Sequence, residues 1–306
     1  MKHIIQSQQF NRKEIETLLN LAEDIQNGDR KLYAETLKGK IIATLFYEPS
    51  TRTRLSFESA SLRLGASVIS TENAREFSSA SKGETLEDTI RVIGGYADAI
   101  ILRHFETGSA RIASKVSPVP LINAGDGSGQ HPTQALLDLY TIRREIGSVN
   151  NISIAFIGDL LYGRTVHSLV YLLSKFKIKK MYFIAPQEVA IKRDIIDYLK
   201  KKKISFEERQ EVSSLLPKVG VVYQTRIQKE RFGDRAEIYN SIQGKYILDA
   251  SWLKKMKKKS VILHPLPRVG EISLDVDTDP RAGYFRQAEN GLYVRMAILK
   301  KLFERD

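Results

Sequence analysis

Ser50-Thr51-Arg52-Thr53-Arg54 packs hydroxyls and two guanidinium groups into five consecutive residues. The stretch follows an apolar run, 41–47, whose length and β-branched content suit a buried parallel strand. Ser50 stands where it can cap a helix, Leu55, Ser59 and Leu62 recur at helical spacing, and Gly65 suits its end. A strand feeding such a helix start makes a phosphate cradle. Outward N–H groups, the helix dipole, hydroxyl donors and the planar fork of Arg all favour an anion. A capped helix with solvated arginines would use the same residues.

Further polar clusters sit behind other apolar runs. Arg103-His104 follows 98–102, and Gly125 to Gln134 follows 119–123. Gly158-Asp159 and then Tyr162-Gly163-Arg164-Thr165 follow 152–157. Thr225-Arg226-Ile227-Gln228 follows 220–223, and His264-Pro265-Leu266-Pro267-Arg268 follows 261–263. Open α/β sheets bind ligands beyond the carboxyl ends of their strands. Arg52, Arg103, Arg164 and Arg226 facing one cleft would demand two anionic substrates, one of them phosphorylated. His131 precedes Pro132, which fits a first helical position. A neutral imidazole there can donate to a carbonyl oxygen that is becoming an oxyanion; the alternative is a helix cap with no catalytic task. His3, His104, His167 and His264 read as structural. Gly158-Asp159 opens like a dinucleotide fingerprint, but the full G-x-G-x-x-G is missing, which argues against NAD.

Strands and helices must position these clusters. Helical patterns cover 51–64, 86–94, 109–117, 133–146, 165–176 and 190–202, and strand-like runs fall at 67–70 and 181–185 as well. Asn11 with Glu14 forms a capping-box start, and Ile15, Leu18, Leu19, Ala22 and Ile25 make the stripe of a first helix. The alternation predicts an α/β fold of two domains, each a doubly wound parallel β-sheet flanked by helices. The expected division is 1–132 plus 289–306 against 133–288.

The chain has 306 residues, 42% hydrophobic and 27% charged, and no run approaches a membrane span. It has no Cys, so disulfides, a thiolate nucleophile and Cys-bound zinc within this chain are excluded. No signal-peptide pattern opens it, and a cytoplasmic location is expected. The net charge of +12 makes nucleic acid a rival partner. Yet the lysines form short runs, 200–203 and 254–259, without interleaved aromatics, which fits a solvated surface better.

Together the motifs resemble the aspartate/ornithine transcarbamylase family over nearly the whole length. The carriers are Ser50 to Arg54 with Leu55-Ser56-Phe57-Glu58, Lys82 to Leu86, Gly125-Asp126-Gly127 and His131-Pro132-Thr133-Gln134. Thr225 to Arg231 and His264-Pro265-Leu266-Pro267-Arg268 are similar to the aspartate branch. The ornithine branch carries a Cys in this motif, as His-Cys-Leu-Pro, and this chain has none. An arginine-bearing acceptor loop also suits a dicarboxylate better than a cationic amino acid; another amino acid acceptor and a catalytically retired scaffold are the remaining rivals.

The resemblance implies carbamoyl transfer from carbamoyl phosphate to the α-amine of L-aspartate, a step of pyrimidine biosynthesis, with no cofactor. It implies that Ser50, Thr51, Arg52 and Thr53 hold the phosphate and that Thr53, Arg103 and His131 polarise the carbonyl. Gln134 and the Pro265 and Leu266 carbonyls would take the amide. Arg164, Arg226 and Gln228 would bind the aspartate carboxylates, with Leu266 and Pro267 lining that side. Ser78 and Lys82 would come from a neighbouring subunit of a homotrimer. Glu48 would pair with Arg164 and Arg231 on domain closure. A zinc-bearing regulatory chain is a further partner that the family admits; nucleic acid and membrane are not. Phe105, Gly129, Leu161 and Gly270 depart from the family pattern. They are expected to affect loop rigidity, closure and cooperativity without removing a substrate contact.

Overall fold

The computed structural model describes residues 3–77, 82–227, 232 and 236–304. The chain divides into two compact units, Met1–Tyr140 with Glu289–Asp306, and Thr141–Ala288. The first cut falls inside helix Pro132–Ile146 rather than just before it.

The first unit is built on four parallel strands, β1 (Ile41–Phe46), β2 (Ser67–Glu72), β3 (Ala99–His104) and β4 (Leu121–Asp126), in the order β2-β1-β3-β4. β3 and β4 are buried throughout and β1 nearly so, whereas β2 at the edge is largely exposed. A strand covered on both faces needs a continuous apolar run, which is why β1, β3 and β4 were legible. β3 and β4 run on to His104 and Asp126, so Arg103, His104, Gly125 and Asp126 belong to strands rather than to the loops beyond.

Helices α1 (Arg12–Asn27), α2 (Thr51–Arg63), α3 (Ala74–Phe77), α4 (Leu86–Gly94) and α5 (Ser109–Val116) follow in chain order. α1 starts on the expected box: Glu14 N–H donates to Asn11 Oδ1 at 3.0 Å and Asn11 N–H to Glu14 Oε2 at 2.8 Å. It buries Ile15, Leu18, Leu19, Ala22 and Ile25, and each large aliphatic among them contributes about 1.5–3 kcal/mol. α2 turns a different face inward than the leucine spacing suggested. It buries Thr53, Phe57, Ala60 and Ser61, and leaves Leu55 and Leu62 50% and 62% exposed. Its end is a Schellman turn: Ala66 N–H donates to Ser61 O and Gly65 N–H to Leu62 O, both at 3.0 Å.

The second unit carries β5 (Ser153–Ile157), β6 (Lys180–Ile184), β7 (Phe206–Arg209), β8 (Val221–Gln224) and β9 (Val261–Leu263), all parallel, in the order β7-β6-β5-β8-β9. Helix α6 (Pro132–Ile146) precedes them; α7 (Arg164–Leu173) lies between β5 and β6, α8 (Arg193–Lys201) between β6 and β7, α9 (Ala236–Ile242) and α10 (Ala250–Lys255) both between β8 and β9, and α11 (Tyr284–Phe303) follows. β7 was not foreseen. Its sequence Phe-Glu-Glu-Arg carries no apolar run, because an edge strand is half solvated and guarded by charge. One apolar cluster of this unit joins Ile157, Ile184, Val222 and Ile262 to Leu215, Leu216, Tyr246 and Leu248.

Candidate active site

The first unit gathers its chemistry at the carboxyl ends of β1, β3 and β4. Ser50 occupies the N-cap position of α2, but its side chain caps nothing. The opening turn of a helix leaves its first N–H groups without intrahelical partners. Here they are not covered by the residue best suited to cover them. Thr53 is buried in that turn, while Thr51 and Arg52 are exposed. Surrounding protein still desolvates the Arg52 guanidinium enough to lower its pKa, though it stays a cation at neutral pH. Arg54 points elsewhere. Its Nη2 lies 2.9 Å from Glu72 Oε2 and its Nη1 3.4 Å from Glu58 Oε1. The other Glu72 oxygen accepts the Ser50 N–H at 3.3 Å. Of the two motif arginines, Arg54 is thus held by two carboxylates, and one of them, Glu72, also fixes the loop before α2.

β1 and β3 are neighbours, with Phe46 opposite Arg103. Tyr47 N–H donates to Arg103 O at 2.9 Å, so the chain entering the Ser50 loop runs beside Arg103. The buried Arg103 side chain donates from Nη1 to Ala124 O at 3.3 Å and pairs through Nη2 with Glu48 Oε2 at 3.0 Å. Arg103 of the same unit is therefore a partner of Glu48; Arg231, one of its two expected partners, lies outside the described residues. Next door, Asp126 pins the loop that leads to His131. Its Oδ1 accepts Gln130 N–H at 2.8 Å and its Oδ2 Gly108 N–H at 2.9 Å. Gly127 has φ +49°, and a Cβ there would lie 2.7 Å from Phe105 O. A Cβ on Gly129 would come within 2.9 Å of Asp126 O, so the loop has no room for a side chain at that position.

Pro132 is the first residue of α6, and the buried His131 precedes it with Nδ1 3.4 Å from Thr133 Oγ1. One turn on, Gln134 Nε2 donates to Asp138 Oδ1 at 2.9 Å.

The other histidines hold structure. His3 Nδ1 accepts Leu121 N–H at 3.1 Å. His104 stacks on Phe105 with centroids 4.3 Å apart, the residue that stands where the family carries His. His167 Nε2 lies 2.8 Å from Leu160 O.

In the second unit, β5, β8 and β9 are adjacent, and their carboxyl ends carry Gly158-Asp159, Thr225-Arg226 and His264 to Pro267. Thr225 ties two of these ends together: its N–H donates to Ile157 O at 2.8 Å and its hydroxyl to the same oxygen at 3.0 Å. Arg226 follows directly, and Arg164 is the first residue of α7. After β9, His264 clamps its own loop. Leu266 N–H donates to His264 Nδ1 at 2.8 Å, which leaves Nε2 as the protonated nitrogen facing Glu271 Oε1 at 2.7 Å. Leu266 sits at φ +53°, a left-handed conformation that costs a side-chain-bearing residue about 1–2 kcal/mol. Burial opposes ionisation of Glu271, but hydrogen bonds from His264 Nε2 and the Val269 N–H hold its carboxyl below the usual range. Arg268 is paired with Asp277 and donates to Tyr284 Oη at 3.1 Å, so it supports the loop's far end.

Within each unit, then, the expected residues meet at one sheet edge: Ser50 to Thr53, Arg103, His131 and Gln134 in the first, Arg164, Arg226 and Pro265 to Pro267 in the second. Lys82 is described and exposed. Ser78, Gln228 and Arg231 fall outside the described residues. Sequence reasoning missed Glu72, Asp138 and Glu271 as supports. Asp138 lies four positions after Gln134 on one helix face, a spacing that signals contact; Glu72 and Glu271 carry no such sign. The exposed lysines at 200–203 and 257–259 lie just before β7 and β9. They therefore belong to the amino ends of that sheet, away from Arg164 and Arg226. Among the described residues no cluster of metal-ligating side chains occurs.

Comparison with known proteins supplies an independent line. Residues 2–144 match the model of the aspartate/ornithine carbamoyltransferase carbamoyl-P binding domain, and residues 150–302 that of the Asp/Orn binding domain. A chloroplastic aspartate carbamoyltransferase of Arabidopsis thaliana is 56% identical, covering 99% of this chain and 78% of that protein. The catalytic subunit of aspartate carbamoyltransferase from Methanocaldococcus jannaschii is 55% identical over 99% of this chain and 98% of its own. Its solved structure aligns with TM-score 0.89 at 54% identity, covering 99% of this chain and 98% of that one. The Trypanosoma cruzi aspartate transcarbamoylase, solved with carbamoyl phosphate and aspartate, aligns with TM-score 0.93 at 41% identity over 99% of this chain and 97% of its own.

Proposed function

The chain belongs to the aspartate/ornithine carbamoyltransferase family and is a carbamoyl-transferring enzyme, and on that premise we propose how its residues carry out the transfer from carbamoyl phosphate to L-aspartate. The products are N-carbamoyl-L-aspartate and phosphate. The observation that supports the reading most is the uncapped start of α2 beside Arg103, a cationic, donor-rich edge next to a histidine that opens a helix.

Ser50, Thr51, Arg52 and Thr53 bind the phosphate through hydroxyls, backbone N–H groups and the guanidinium. Thr53, Arg103 and His131 donate toward the carbonyl oxygen, and Gln134 accepts from the carbamoyl amine. Arg164, Arg226 and Gln228 take the two carboxylates of aspartate, beside Leu266 and Pro267, and the Pro265 and Leu266 carbonyls add acceptors for the amide. The deprotonated α-amine attacks the carbonyl carbon, and the C=O electron pair moves onto oxygen. Collapse of the tetrahedral intermediate breaks the C–O bond to phosphate, which accepts the amine proton as it leaves. No protein general base is needed; positioning and preorganised positive charge supply the rate.

Lys82 and Ser78 act in a neighbouring copy's site, so the working unit is a homotrimer. A regulatory chain would bring its own zinc ligands. The lack of Cys suits a cytoplasmic setting. The direct test supplies purified protein with carbamoyl phosphate and a panel of amino acids. Equal amounts of carbamoyl-aspartate and phosphate are expected. Carbamoylation of ornithine with none of aspartate would overturn the acceptor assignment.

A further inference from the structure

β4 carries an irregularity in its ladder, just before the loop to His131. Leu102 of β3 pairs with Asn123, but His104, two residues on, pairs with Asp126, three residues on. The extra residue on β4 makes a bulge, which bends a strand and re-aims a side chain. Gly125 supplies the φ of +118° there, and its N–H donates to Asn123 Oδ1 at 2.8 Å. Strict alternation would send Asn123 and Asp126 to opposite faces of the sheet. The bulge brings them together instead. Asn123 Nδ2 donates to Asp126 Oδ1 at 3.2 Å and to Ile5 O at 2.8 Å.

Re-aimed in this way, the buried Asp126 collects donors from two loops. Its Oδ1 also accepts the Gln130 N–H at 2.8 Å, and its Oδ2 accepts the Gly108 N–H at 2.9 Å. Gly108 belongs to the loop after β3, and that loop grips the second one again. Gly127 N–H donates to His104 O at 3.0 Å, and Ser128 N–H to Thr107 Oγ1 at 3.1 Å. Gln130 directly precedes His131, whose carbonyl accepts the Gln134 N–H at 3.1 Å. The backbone at His131 is therefore held by Asp126 on one side and by α6 on the other. We propose that Asp126 is a positioning residue for the transfer: by fixing Gln130 against the loop after β3, it aims the His131 imidazole at the carbonyl oxygen of the carbamoyl donor. This rests on the carbamoyl-transfer reading and adds to it a residue that acts through His131 rather than by touching substrate.

Asp126→Asn keeps the size of the side chain and removes one acceptor. Whichever way the new amide turns, its NH₂ meets a backbone N–H, that of Gln130 or that of Gly108, and neither can turn away. A donor left without an acceptor loosens the clamp, and a misplacement of about 1 Å can cost about 10²-fold. The expected result is a fall of about 10–100-fold in kcat. Kd for inorganic phosphate should stay within about threefold, because Ser50 to Thr53 lie at the start of α2. The double variant separates positioning from general support. In a His131→Ala chain, Asp126→Asn should lower kcat by less than about threefold more, since the group it aims is already gone. A full further loss in that background, an unchanged kcat in the single variant, or an equal weakening of phosphate binding would each overturn the proposal. A wild-type chain that makes no carbamoyl-aspartate would instead defeat the underlying reading, and that control alone shows it. Should Asp126→Asn not fold, hydrogen exchange of the wild-type chain decides: the Gln130 and Gly108 amides, although in loops, should exchange slowly with D₂O, as strand amides do, and fast exchange would sink the proposal.

Discussion

Gly158→Ala should damage aspartate binding while sparing phosphate binding. Gly158 directly follows β5 at φ +114°, and its N–H donates to Ile184 O at 3.0 Å. A Cβ built there would lie 2.3 Å from Thr225 O, 2.7 Å from Thr225 Oγ1 and 3.1 Å from Thr225 C. An ordinary C···O approach is about 3.3 Å, so the Thr225 backbone must retreat by about 1 Å. Thr225 cannot do so easily, because its N–H and hydroxyl are both bonded to Ile157 O. The positive φ costs about 1–2 kcal/mol and the overpacking about 1–3 kcal/mol more. For a unit of about 150 residues, a loss of that size lowers its melting temperature by roughly 5–15 °C.

Arg226 follows Thr225, so the strain reaches the aspartate side. A misplacement of about 1 Å can cost about 10²-fold. Steady-state kinetics below the melting transition should show kcat/KM for aspartate down by about that factor. Calorimetric titration with inorganic phosphate should give an unchanged Kd, because Ser50 to Thr53 belong to the other unit. Wild-type melting together with a wild-type aspartate KM would refute the steric argument. Equal weakening of phosphate binding would refute its confinement to the second unit.

His131→Ala should lower kcat by about 10²–10³, the usual effect of removing an oxyanion donor; an unchanged turnover would return His131 to a helix cap. Glu271→Gln should flatten the acid limb of stability. The Glu271 carboxyl is held below its usual range in the fold, so its contribution is present above about pH 4.5 and fades as pH drops through the lowered value; thermal melts from pH 3 to 7 should show wild type converging on the variant at the acid end. Lys82→Ala and Arg52→Ala chains, each inactive alone, should recover about a quarter of wild-type activity after random subunit exchange in a trimer. No recovery with exchange confirmed by mass would rule out the sharing of sites.

The amino-acid sequence by itself determined the architecture and most of the chemistry. Parallel strands buried on both faces must be written as apolar runs, so β1, β3, β4, β5, β6, β8 and β9 stood out, and the polar residues behind them marked the carboxyl edge. β7 escaped because it is partly solvated, and Phe206-Glu207-Glu208-Arg209 carries no apolar run. The leucines of α2 misled because helical spacing defines a stripe without saying which stripe the sheet will cover; Phe57 and Ala60 took the buried side. Family resemblance supplied roles that spacing alone left open, such as His131 as donor rather than cap.

Tertiary structure decided how those roles are enforced. Arg52 and Arg54 are equivalent on paper, yet Glu58 and Glu72 claim only the second. Gln134 is a symmetric-looking amide until its Nε2 meets Asp138 Oδ1 one turn further along α6. The lysine runs, alarming as a charge total, belong to the amino ends of the second sheet. In each case the deciding partner lies across a helix or strand. Sequence records which side chains exist, but only packing fixes which of them meet, and an ion pair or hydrogen bond has no strength until its atoms are within about 3 Å.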